Sequence, residues 1–130
     1  MPVAQHPRKR DYFVYTFWVE CRPFYVGIGR LARASDRIRY VRSLMKPHNK
    51  EKLARKSLSV RVMALMLQRG LVIKQTQTRC PMNRTQALAR ESAMIARYVR
   101  AGFQLTNWQQ NPNRMTDAHA ALRAILRPSR

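Results

Sequence analysis

Cleavage or capture of a phosphate asks for a fixed positive charge, an anion able to hold a cation, and a group that can move a proton. This chain carries candidates for each. In the stretch PFYVGIGRLARASDR, Pro23 to Arg37, an aromatic run meets Gly27 and Gly29, after which Arg33 and Arg37 stand four residues apart. On a helix that spacing puts both arginines on one flank. A guanidinium is a planar, permanently charged fork that matches phosphate oxygens. The glycines are expected to end a strand and turn the chain tightly, delivering the arginines to one concavity.

The acids are few: Asp11, Glu20, Asp36, Glu51, Glu91 and Asp117. Glu91 stands out because it falls on the line Leu88, Glu91, Ile95, Tyr98, the apolar side of a helix predicted from Thr85 to Arg100. An inward carboxylate is costly unless it is paired or bound to metal. A Glu–Arg ion pair and a ligand for a divalent ion beside a phosphate both satisfy that demand, and at the level of spacing both stay open. With one carboxylate near the arginines, a two-metal phosphodiester mechanism is not expected, since it needs several convergent carboxylates. Arginine would carry charge stabilisation, and tyrosine or histidine the proton transfer.

The composition supports a phosphate-bearing partner. Among 130 residues there are 26 Lys plus Arg against 6 Asp plus Glu, a formal net charge of +20. Such self-repulsion burdens a compact fold, which favours a polyanion, nucleic acid first, over a role for the charge in solubility alone. The cations run along the whole sequence, so a folded basic surface is expected and not a basic tail. At 45% hydrophobic the chain has the apolar content to collapse. The start, MPVAQHPRKRDYF, has no apolar core of a secretory signal, and no run reaches the ~20 apolar residues that span a bilayer. Cys21 and Cys80 stand alone, without zinc-site or disulfide spacing, which suggests a reducing compartment, the cytoplasm.

The elements that must position these groups follow from periodicity. Tyr12–Val19 and Phe24–Ile28 read as strands of a hairpin broken at Glu20–Pro23, the first apolar on both faces. A helix is predicted from Leu31, with Leu31, Ala34, Ile38, Val41 and Met45 as its apolar stripe. Pro47 interrupts it, a second helix runs from Lys50 to Gln68, and Leu71–Gln77 is a third strand. After the helix bearing Glu91 comes LTNW, a polar loop, and a short helix over Asp117–Arg127. The predicted class is α+β: a small antiparallel sheet of about three strands, opened by an N-terminal hairpin and flanked by helices. Residues 1–11 form a basic lead-in, 12–108 the main domain, and 109–130 a polar loop with a short C-terminal helix.

With these elements in place, the motifs resemble those of the GIY-YIG nucleases. Phe13–Tyr15 (FVY) and Tyr25–Gly27 (YVG) are similar to the two halves of the family motif, in the branch whose second half continues as YVGKG before a helix arginine. ARESAMIARY around Glu91 resembles the family's glutamate segment, and LTN at Leu105–Asn107 its closing asparagine segment. The resemblance spans about Tyr12 to Asn107 and implies a metal-dependent endonuclease hydrolysing phosphodiester bonds in DNA, with one Mg²⁺ or Mn²⁺ as cofactor. It implies Glu91 as metal ligand, Tyr15 as the base activating water, Tyr25 orienting water or phosphate, and Arg33 holding the scissile phosphate. It also implies Asn107 as a brace, with Gly27 and Gly29 as structural support. Arg30, Arg37, Lys46, His48 and Lys50 are expected to bind the nucleic acid. Ile28 stands where many members of this branch have lysine, and Arg37 where relatives often carry histidine.

A chain of this length leaves no room for a separate specificity domain within it, so low intrinsic sequence preference, or specificity from a protein partner, is expected. DNA is the expected partner, with RNA as the alternative and no membrane. The competing class is a non-catalytic basic protein that binds nucleic acid on the same scaffold.

Overall fold

The computed structural model describes residues 10–30 and 33–127, and of 33–35 the backbone alone. The predicted hairpin forms as β1 (Tyr12–Val19) and β2 (Arg22–Arg30), antiparallel and joined by Glu20 and Cys21. Both turn residues have positive φ, 48° and 64°. That geometry suits the right-handed twist of a two-residue hairpin, although Asn and Gly more commonly supply it. A register shift between Phe17 and Trp18 bends the pair. The third strand, β3 (Ile73–Gln77), pairs antiparallel with the other side of β1, giving the order β2-β1-β3.

The fold is α+β, with helices on both faces of this sheet, which is why β1 is apolar on both sides. Tyr15, Phe17 and Val19 point to a core shared with α1 (Arg33–Leu44), α3 (Leu58–Gln68) and α5 (Ala118–Leu126). Val14 and Val26 point the other way, to Ala87 and Ile95 of α4 (Arg84–Arg100) and to Leu105. Full burial of each large apolar side chain contributes about 1.5–3 kcal/mol relative to exposure. The C-terminal helix is part of the main core, because Ala121, Leu122 and Ile125 of α5 are buried in it.

Four expectations are corrected. Gly27 and Gly29 do not end β2 or make a turn; they lie within its ladder, opposite Tyr15 and Phe13. Gly27 is demanded by packing, since a Cβ there would stand 2.7 Å from the Tyr15 hydroxyl oxygen and 2.8 Å from its Cζ. The helix expected over Lys50–Gln68 is two helices, α2 (Lys50–Ala54) after a 3-10 turn at Pro47–Asn49, and α3 from Leu58. Ser57 is extended between them (φ −60°, ψ 161°) as the N-cap of α3. The break lets the charged α2, which buries no residue, stay in water while α3 buries Leu58, Val60, Val62, Met63 and Met66.

The strand expected from Leu71 starts at Ile73, because the Leu71 N–H still closes α3 on the Met66 carbonyl at 2.9 Å, with Gly70 at φ 75°. On α4, finally, Leu88 is exposed and the inward line is Ala87, Glu91 and Ile95. That helix is started by Asn83 and Gln86, whose side chains cap each other's backbone N–H groups at 2.8 and 3.0 Å. Among the described residues no helix is long and apolar enough to cross a membrane.

Candidate active site beside strand β2

Strand β2 is at one side of the sheet, and the segment after α4 closes its outer edge. The Thr106 N–H donates to the Phe24 carbonyl at 2.7 Å. The Asn107 side chain then pairs as a peptide group would: its amide donates to the Val26 carbonyl at 2.7 Å and its oxygen accepts from the Val26 N–H at 3.0 Å. Asn111 donates in turn to the carbonyls of Leu105 (3.0 Å) and Asn107 (2.8 Å). These bonds satisfy an edge that would otherwise present unpaired backbone groups. They also fix Tyr25, the neighbour of Val26.

A cleft of about 480 Å³ opens here. Tyr25 of β2, Arg37 of α1, and Glu91 with Ile95 of α4 line it. The start of α3 contributes Ser57, Leu58 and Ser59, and the loop after α4 contributes Thr106 to Gln110. The Arg37 guanidinium lies 4.5 Å from the centroid of the Tyr25 ring, a cation–π contact, and its Nη2 donates to Ser59 Oγ at 2.8 Å. Ser57 and Ser59 hydroxyls are 3.2 Å apart. Ser57 makes no side-chain cap, so the first backbone N–H groups of α3 are not met by it. An N-terminal turn of this kind favours anions.

Glu91 is half-buried, and burial pushes its carboxyl above the usual carboxylate range. The ion pairs among the described residues are Arg22–Glu20, Arg30–Asp11 and Arg39–Asp36, so Glu91 is not locked to a structural arginine there. The described residues therefore leave Glu91 partly desolvated and in no ion pair, with Arg37 lining the same cleft. No group of three or more His, Cys, Asp or Glu that could hold a metal occurs among the described residues. A single carboxylate still suits a hard cation that keeps most of its ligands as water and phosphate oxygens.

The expected residues thus divide. Tyr25, Glu91 and Asn107 come together, and Arg37, expected to bind nucleic acid, joins them in the cleft. Tyr15 does not line it. It faces the core from the central strand, 5% exposed, with its ring centroid 6.4 Å from that of Tyr25 and its hydroxyl against Gly27. The Arg33 side chain lies outside the described residues; its backbone opens α1 one turn before Arg37. Gly29 stays in the ladder, and Arg30 sits exposed at the end of β2 on Asp11 (3.1 Å) and over the Tyr12 ring. Lys46, His48 and Lys50 are exposed around the 3-10 turn, apart from the cleft.

A separate groove of about 490 Å³ is lined by His48, Asn49, Glu51, Lys52, Arg55 and Lys56. Lys56 lies 5.4 Å from the Tyr40 ring centroid, and its hydrogen bond holds the Tyr40 phenol below its ordinary pKa. Since Lys56 precedes Ser57, this basic run leads directly to the cleft. Ser57, Ser59, Trp108, Gln109 and Gln110 were missed as site residues from sequence. The serines were hidden by reading one helix through Lys50–Gln68, whereas a tryptophan in the polar tract NWQQNPN was a usable signal. Comparison with models of protein families, with curated proteins and with solved structures returns no match to this chain.

Proposed function

We propose that the chain is a metal-dependent endonuclease of GIY-YIG type that hydrolyses phosphodiester bonds in DNA with low intrinsic sequence preference. The observation that carries this reading is the cleft itself: a half-buried carboxylate, a phenol and a guanidinium from α4, β2 and α1 line one cavity in a protein of net charge +20. In this reading Glu91 holds one Mg²⁺ or Mn²⁺, which when bound would polarise a phosphoryl oxygen. Arg37 supplies a charge that no accessible pH removes, aimed by Ser59 and the Tyr25 ring, to bind the phosphate and its developing negative charge. The Ser57 and Ser59 hydroxyls and the first turn of α3 add neutral donors to the same anion. Tyr25 orients the attacking water or the phosphate by its hydroxyl. Asn107 keeps β2, and so Tyr25, in place. Exposed Cys21 and Cys80, unpaired with each other, fit a reducing compartment such as the cytoplasm. A protein partner would supply sequence specificity.

One observation favours the second reading, a non-catalytic nucleic-acid-binding protein. Tyr15, to which the resemblance gives the role of base, lies behind Tyr25, and Ile28 packs against the Val14–Val26 cluster where a lysine would bring charge. The two are separated by incubating supercoiled plasmid and single-stranded DNA with Mg²⁺ or Mn²⁺. Wild type is expected to cut. Glu91→Ala should fall to background, and Arg37→Ala should lose about 10²–10³-fold in rate, as expected for a donor to transition-state charge. Both variants should still bind DNA. Equal residual cutting by all three proteins removes the catalytic reading.

A further inference from the structure

We propose that Trp108, backed by Arg114, is a stacking platform for an unpaired nucleobase, so that the polynucleotide enters the cleft with a base beside the reacting phosphate out of its duplex. The inference rests on the reading of the cleft as a nucleic-acid site. Trp108 is 59% exposed although it follows the buried Leu105, Thr106 and Asn107 without a break. A large aromatic held that far out of the core gains little from burial. The Arg114 guanidinium lies over the ring, 4.6 Å from its centroid, a cation–π contact that covers one indole face and adds a positive charge to the platform.

The loop that presents the indole is built and not loose. Gln104 donates to the carbonyls of Asn113 (2.7 Å) and Leu105 (3.1 Å). The Asn113 N–H donates to Asn111 Oδ1 at 3.0 Å, and Asn111 is itself buried and bonded to Leu105 and Asn107. Gln110 is held at φ 60°, in the left-handed region that a non-glycine residue adopts at a cost. Trp108 lines the same cleft as Glu91, Tyr25 and Arg37, with the Gln109 and Gln110 amides at hand to donate to or accept from a base edge. In a duplex both faces of each base are covered by its neighbours. A base can lie on the indole only after unstacking, so the platform selects single strands, flaps or frayed ends.

The test measures binding with a chelator present, so that cleavage does not intervene. The chain has two tryptophans, and Trp18→Phe leaves Trp108 as the single reporter. A single-stranded DNA oligonucleotide should quench its fluorescence, whereas a blunt duplex of the same length and an abasic strand with the same phosphates should not. Trp108→Ala should weaken single-strand binding about 5- to 150-fold, the range for loss of one stacked base, with duplex binding unchanged. Trp108→Phe should restore most of it, and Arg114→Ala should show a smaller loss of the same selectivity. An equal loss on single strand and duplex, no loss on either, or equal quenching by the abasic strand overturns the platform. Absence of cleavage by wild type with these differences intact overturns the nuclease reading and leaves the platform standing.

Discussion

Glu91 gives up part of its hydration on folding and gains no cation from the described residues in return. Its carboxyl therefore titrates higher in the folded protein than in the unfolded chain. Between those two values the native state binds more protons, so stability falls as pH rises through the window, and the loss is complete above the folded value. Glu91→Gln should then melt at a higher temperature than wild type at neutral pH, and the difference should vanish below the ordinary carboxylate range. Mg²⁺ or Mn²⁺ should raise the melting temperature of wild type and not that of the Gln variant, because a cation that binds only the native state stabilises it in proportion to the logarithm of one plus its concentration over its Kd. Scanning calorimetry across pH, with and without the cation, checks both. A Gln variant less stable than wild type at neutral pH would mean that Glu91 has a structural partner.

At the scale of elements, the site depends on one loop imitating a strand. Asn107 meets both backbone groups of Val26, and no other residue closes that edge by side-chain bonds to Val26 among the described residues. Asn107→Ala would leave them buried and unmet, at about 1–3 kcal/mol for each group. The expected result is a lower urea midpoint with an unchanged slope, together with lost cleavage at temperatures where the variant is still folded. An unchanged midpoint would show that water replaces the amide. The elements themselves were largely legible. The β-branched and aromatic runs at Tyr12–Val19 and Phe24–Ile28 and the helical stripe through Ile95 are local signals. What was not legible was where the helix must break: α2 ends at Ala54 with Arg55 as its C-cap and Ser57 starts α3, because burial in the core begins only at Leu58.

Over the whole molecule the charge is hardly compensated. The three ion pairs among the described residues are on the surface, where each contributes little. Most cations are therefore available to phosphates, and the groove at His48, Lys52, Arg55 and Lys56 adjoins the cleft through Ser57. DNA affinity should fall linearly with the logarithm of salt concentration, with a slope of about −0.9 per phosphate neutralised. Replacing Lys52 and Arg55 together with alanine should make that slope shallower by about 2. Glu91→Ala should leave the slope unchanged. Titration by fluorescence anisotropy at four salt concentrations measures all three, and a slope unmoved by the double replacement places the DNA elsewhere.

The sequence by itself determined the charge, the hairpin, the two-faced central strand and the inward direction of Glu91, since each follows from composition, from continuous β-branched and aromatic runs, or from a period of 3.6 residues. Tertiary structure alone decided which groups meet. Arg37 reaches the cleft because α1 packs against α3, while Tyr15 is drawn into the core by the same strand alternation that points Phe17 and Val19 there. Gly27 owes its place to the Tyr15 ring across the ladder, and Asn107 to an edge 81 residues away in the chain. Contacts between residues so far apart leave no periodic trace, because chain closure and side-chain packing act only once the layers have come together.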